Sequence, residues 1–380
     1  MNQRLSIVLA SLFGSFLIGC EKVPTFQEIT GQDANKNPPA VSNVPPPVVT
    51  AEKVAAETAP IQQPMAVDEH AAVMEVLSRK AGGTLKDQDI ARATKLSSIL
   101  AELKSLDASV SAVSDDGIRQ LSHFTALQQL NLTSLRIDGA GLEGLEPLAN
   151  LRELSLASVH MGSTAGWERL GKLPQVEILN LALTNITDAE VPFIVKMTGL
   201  RDLNISNTKL TDAALLQLAT LENLEILRIA NTQQIKGTGF KAFAQSKRKP
   251  GLRCVYAANT QFSREGMSNL KRIPNLELFD NTLAQLSDQV LFELKGATNL
   301  RTLAVGANSL TAASGPTFQS MRNLENLDLS QSSLLTPQIL NSLSKMTELK
   351  TLNLSKTACT PANIQDFQRL RKNCEVIYVQ

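Results

Sequence analysis

Apolar side chains return along this chain about every two dozen residues. Starting at Leu103, units open at Leu127, Leu151, Val176, Leu200, Leu224, Leu252, Leu276, Leu300, Leu324 and Leu349, in steps of 24 or 25 residues broken once by a step of 28. Offsets 0, +3, +5 and +10 of the eleven units are apolar at 42 of 44 positions, where a chain that is 43% apolar would give about 19. The exceptions are Gln234, with Ile235 one residue late, and Asn281. Side chains alternate along a strand, so +3 and +5 share a face and each unit opens with a short strand. Beyond +10, Thr187-Asp188, Thr211-Asp212 and Ser287-Asp288 supply oxygens that cap a helix. Offsets +15, +18 and +21 then carry an apolar stripe, as in Leu142, Leu145 and Leu148 or Leu215, Leu218 and Leu221. That spacing suits a short α or 3-10 turn. Each unit can bury its apolar side only against its neighbours, which predicts a solenoid.

The unit reads L-x-x-L-x-L-x-x-T-x-I/L-T-D, as in the run from Leu200 through Leu203, Ile205, Thr208 and Leu210 to Asp212. From about residue 100 to residue 380 it resembles the leucine-rich repeat family. Within that family it is similar to the 24–26-residue cysteine-containing type, with Thr184, Thr208, Thr232, Thr260 and Thr357 at the ladder position and Asn308 the lone Asn. The resemblance implies an α/β fold: a right-handed arc with a parallel sheet on the concave side and short helices on the convex side. It also implies an interaction module, with a protein or peptide partner, rather than an enzyme. A structural envelope scaffold or adhesin-like protein is the alternative.

The repeat domain is expected over 103–380, behind an N-terminal helical cap over 68–102. An amphipathic helix is expected over 71–80, stopped by Gly82-Gly83. Cys374, Ile377 and Val379 repeat the 0, +3 and +5 pattern, which predicts a twelfth strand. Its uncovered edge could pair with a second copy.

The start of the chain reads differently. A short basic opening ending at Arg4 precedes an apolar run from Leu5 to Gly19, and Leu17-Ile18-Gly19-Cys20 closes it. The run is too short to span a bilayer, which takes about 20 residues, and fits an export signal. Its end resembles the bacterial lipobox, which implies acylation of Cys20 after cleavage of residues 1–20. Several acyl chains would hold the protein to a membrane, and Glu21 leans toward the outer membrane or periplasmic face by family habit. Residues 21–67 hold eight of the sixteen prolines and no periodic apolar face. They read as a disordered tether, reaching roughly 140 Å if extended and nearer 40 Å as a coil.

Charge and composition narrow the function. Lys+Arg of 37 against Asp+Glu of 36 leaves a net charge of +1, with no basic field for nucleic acid. The three histidines, His70, His123 and His160, share no metal-ligand spacing, and no catalytic motif occurs. No catalytic residue, metal or cofactor is expected. Cys359 and Cys374 fall at core positions, where they act as small hydrophobes or join if their geometry allows. Asn281 stands at a core position, so it either bonds the adjacent backbone or marks a bulge.

Offsets +2, +4, +6 and +7 face the concave side and are mostly small and polar. Units four to eight depart from this, with Ile178, Leu183, Ile226, Arg228, Tyr256, Leu278 and Leu283 on that surface. Contiguous exposed apolar area with Tyr and Arg marks an interaction site, so this patch is the expected docking surface. The 28-residue unit adds Lys247, Arg248 and Lys249, with Arg253 beyond, as a possible basic contact on a loop.

Overall fold

The computed structural model describes residues 69–78, 84–245 and 251–380. Cys20, the segment 21–67 and the loop residues Lys247, Arg248 and Lys249 lie outside the described residues. Three helices, α1 (Glu69–Ser78), α2 (Asp87–Ala93) and α3 (Ser97–Glu102), precede the sheet. Twelve three-residue strands follow: β1 (Ser105–Asp107), β2 (Gln129–Asn131), β3 (Glu153–Ser155), β4 (Ile178–Asn180), β5 (Asp202–Asn204) and β6 (Ile226–Arg228) make the first half. β7 (Cys254–Tyr256), β8 (Leu278–Asp280), β9 (Thr302–Ala304), β10 (Asn326–Asp328), β11 (Thr351–Asn353) and β12 (Glu375–Ile377) make the second. They form one open sheet in chain order, with every neighbouring pair parallel. Equal offsets stack in register, as Leu179, Leu203 and Leu227 do, and a continuous core runs from Val73 to Cys374.

The strands are short because the sequence ends them. At +4, Asp107, Asn131, Asn180, Asn204, Asp280, Asp328 and Asn353 each accept the N–H two residues on, at 2.9–3.1 Å. Such Asx turns bend the backbone out of the strand. The residue at +7 then takes a left-handed conformation in all eleven units, with φ between 52° and 60° from Val110 to Lys356. At +8 the hydroxyls of Thr184, Thr208 and Thr357 donate to the carbonyl three residues back, each at 2.7 Å.

Of the three Thr/Ser-Asp pairs, Thr211 caps its helix, Ser287 makes no side-chain cap hydrogen bond, and Thr187 lies ahead of the helix that opens at Val191. Thr211 accepts the N–H of Ala213 in its own helix, while Asp188 of the preceding unit accepts the Thr211 N–H and hydroxyl at 2.9 and 2.6 Å. Asp288 ties Thr311, and Asp87 ties Ser114, in the same way. At these three places the carboxylate is a staple between neighbouring turns of the solenoid.

Two places depart from the periodic reading. Leu334, counted as a +10 core residue, is 54% exposed, and Leu335 takes its place in the core. This is the one-residue delay seen at Gln234 and Ile235. In the last strand Thr351 pairs with Glu375 and Asn353 with Ile377, so the frame lies one residue earlier than Cys374 predicts. Val376 and Tyr378 therefore pack on the core while Val379 is exposed, and the Tyr378 hydroxyl donates to the Cys359 carbonyl at 2.7 Å. Cys359 and Cys374 are buried free thiols, and burial pushes both above the usual thiol range.

Asn281 is not bulged. Its strand keeps regular register, and its Nδ2 donates to the carbonyls of Ala257 and Thr260 at 3.0 and 2.8 Å. Asn308, one unit on, is fuller. Its Oδ1 accepts the N–H groups of Ala284 and Leu286, and its Nδ2 donates to the carbonyls of Asn281, Val305 and Gly306.

Candidate functional site

Position +2 on three successive strands carries Ile226, Cys254 and Leu278, which register side by side on the concave face. They form a small cluster of their own, separate from the main core, with Tyr256 packed against it. Ile226 and Leu278 are only 6% and 4% exposed, so the expected open apolar patch is smaller than its residue count. Leu183 remains 52% exposed, at the left-handed bend just past β4, and Leu283 sits half-buried at the matching bend after β8. Ile178 is half-buried on β4.

Arg228 and Tyr256 are register neighbours at +4. The Arg228 guanidinium lies 4.6 Å from the Tyr256 ring centroid, within cation–π range. It also grips Asp202 through Nε at 3.2 Å and Nη2 at 2.9 Å, the planar two-point geometry that suits arginine. Burial works against its charge, but Asp202 more than offsets this and holds the guanidinium protonated. Burial pushes the Tyr256 hydroxyl above the usual phenol range. Arg228, Tyr256 and Asp202 thus form one rigid polar centre at the middle of the sheet.

Among the charged residues on this face, acids outnumber bases. At the outward strand positions +2 and +4 stand Asp107, Glu153, Asp202, Asp280, Asp328 and Glu375, with Arg228 as the single base. Burial pushes Asp280 and Asp328 above the usual carboxylate range, although each accepts a backbone N–H that works the other way. Glu153 is 3% exposed, its Oε1 has no hydrogen-bond partner, and burial with help from Asp202 pushes it up to about 7. Acid enrichment at +2 and +4 was readable from the chain once the frame was set, yet apolar counting alone passes over it.

Arg253 is half-buried and paired with acids. It bridges Glu277 at 2.8 Å and Glu225 at 3.5 Å. It belongs to the +1 row, which reads Arg152, Glu177, Arg201, Glu225, Arg253, Glu277, Arg301, Glu325 and Lys350. Ion pairs join Arg152 to Glu177, Arg201 to Glu225, and Glu325 to both Arg301 and Lys350. A shallow hollow of about 190 Å3 opens beside this ladder between Pro274, Glu277, Thr298, Asn299, Arg301 and Asn323. Among the described residues no group of three or more His, Cys, Asp or Glu could hold a metal, and no helix is long and apolar enough to cross a membrane.

Residues 298–371 match a family model described as leucine rich repeat. The solved structure of an internalin (inlF) from Listeria monocytogenes superposes with a TM-score of 0.51 at 20% identity, over 77% of this chain and 94% of that one. The fold is a leucine-rich-repeat solenoid. An internalin C2 from the same organism aligns at 20% identity over 58% of this chain and 91% of its own, with a TM-score of 0.44. The structure of a TLR13–ssRNA13 complex gives a TM-score of 0.50 at 19% identity, over 68% of this chain and 40% of that one. No curated protein matches the chain in sequence.

Proposed function

We propose that this chain is an exported, lipid-anchored leucine-rich-repeat protein that binds a protein or peptide partner on its concave sheet. The observation that carries the binding reading is the Asp202–Arg228–Tyr256 centre, an arginine stacked on a tyrosine at the middle of the concave sheet. Tyrosine and arginine at the centre of a face dominate binding energy in protein complexes. Leucine-rich-repeat folds typically serve as protein–protein interaction modules, which agrees with this reading.

The binding reading is tested by affinity capture from envelope extracts. Wild type and Glu168→Lys, a control at an exposed residue of the helix Thr164–Leu170 outside the sheet, are expected to retain a common partner. Tyr256→Ala should weaken its capture at least tenfold, and Tyr256→Ala with Arg228→Glu should abolish it, with folding checked by circular dichroism. Unchanged capture by both patch variants would remove the concave centre from consideration.

The anchor reading rests on Leu17-Ile18-Gly19-Cys20 and the apolar run before it. Labelling with a radioactive fatty acid is expected to mark wild type in the membrane fraction. Cys20→Ala should carry no label; equal labelling of the two would refute acylation at this cysteine.

A further inference from the structure

Glu153 and Asp202 both stand at +2, on β3 and β5, with Ile178 of β4 in register between them. Two strand spacings separate them, about 10 Å. Asp202 already shares its charge with Arg228. Glu153 has no such partner: its Oε1 is buried and makes no hydrogen bond. A buried carboxyl left this way costs free energy that a donor from outside would restore. Among the described strands, outward acids outnumber the single outward base while the whole chain is nearly neutral, so the face complements a positively charged visitor. Half-buried Ile178 offers an apolar floor between the two carboxyls. Long basic side chains bury their alkyl stems in just such settings while the charged head reaches polar groups.

We infer that the concave face over β3–β5 is a seat for a cationic side chain, a lysine or arginine of a protein partner, held between the carboxyls of Glu153 and Asp202 with its stem along Ile178. The inference rests on the concave sheet being the docking surface, and it names the chemistry that surface selects. Glu153 supplies the unpaired acceptor, and Asp202, fixed by Arg228, supplies the second wall.

The test uses the full chain and a fluorescein-labelled octapeptide of alternating lysine and alanine, with its glutamate–alanine counterpart, followed by fluorescence anisotropy. The lysine peptide is expected to bind and the glutamate peptide to fail. Glu153→Gln should weaken the lysine peptide about tenfold, and Glu153→Lys should eliminate its binding. Glu168→Lys, outside the sheet, should leave it unchanged. Circular dichroism on each variant separates lost binding from lost fold. Equal affinity of wild type and Glu153→Gln, equal effects of Glu153→Lys and Glu168→Lys, or no binding of the lysine peptide by wild type would overturn the seat. If the seat falls while Tyr256→Ala with Arg228→Glu still abolishes partner capture, the docking surface stands without it.

Discussion

Asn308→Ala is expected to lower stability by about 4 kcal/mol, a large loss for one residue of a repeat array. The side chain answers two backbone N–H groups and three carbonyls, drawn from its own unit and the one before it. Removing it leaves those groups buried without partners, and water has little room to replace the amide. Asn281→Ala should cost about half as much. Asn281 serves two carbonyls, and its own Oδ1 is already unpartnered, so truncation also relieves a strained accounting of acceptors. Urea unfolding followed by far-ultraviolet circular dichroism ranks the two. Equal midpoints for both variants would show that the Asn308 network contributes nothing beyond its packing volume.

Glu153→Gln should instead stabilise, and only above a certain pH. In the folded protein burial and Asp202 raise this carboxyl from 4.5 to about 7. Below about pH 4.5 both folded and unfolded chains keep the proton, so the substitution changes little. Between there and about pH 7 the unfolded chain ionises while the folded one holds its proton, and wild type loses stability as pH rises. Above pH 7 the loss is complete, on the order of 3 kcal/mol for a gap of this size. Glutamine has no proton to lose. The difference between variant and wild type is therefore expected near zero at pH 4 and on the order of 3 kcal/mol at pH 8. Denaturant curves at the two pH values decide it, and a constant difference between them would mean that Glu153 titrates normally in the fold.

The core of this protein was legible because burial is locked to the repeat. Leu130, Leu154, Leu179 and Leu203 stack in register, so a residue's offset fixes its depth. The rule loosens where the chain takes one more residue to turn. Leu334 and Leu335 are both leucines, and composition gives no hint that the second is the buried one. The last strand slipped for a similar reason: Ile377 and Val379 look as apolar as Val376 and Tyr378, and only pairing with β11 chooses between them. The concave face was harder. Knowing that Ile226 and Leu278 point outward does not say that they are covered, because neighbours at the same offset pack sideways against each other and Tyr256 lies against them. Glu153 was legible as an outward acid but not as an unpartnered one, since that depends on what reaches it across two strands. Arg253 follows a basic run in the chain, whereas its ion-pair partners, Glu225 and Glu277, come from the +1 positions of the adjoining units.

That +1 row carries a consequence for how such a molecule can grow or shrink. From Arg152 to Lys350 positive and negative side chains alternate without a break. Excise one interior unit, the one opening at Leu224 for example, and Arg201 meets Arg253 with no carboxylate between them. Remove two together and Arg201 meets Glu277, opposite charges again. Each exposed pair is worth little, on the order of 1 kcal/mol or less, yet a mismatch turns attraction into repulsion at the seam. Parity is thereby written into the rim, and whole turns of this ribbon are interchangeable as couples rather than singly.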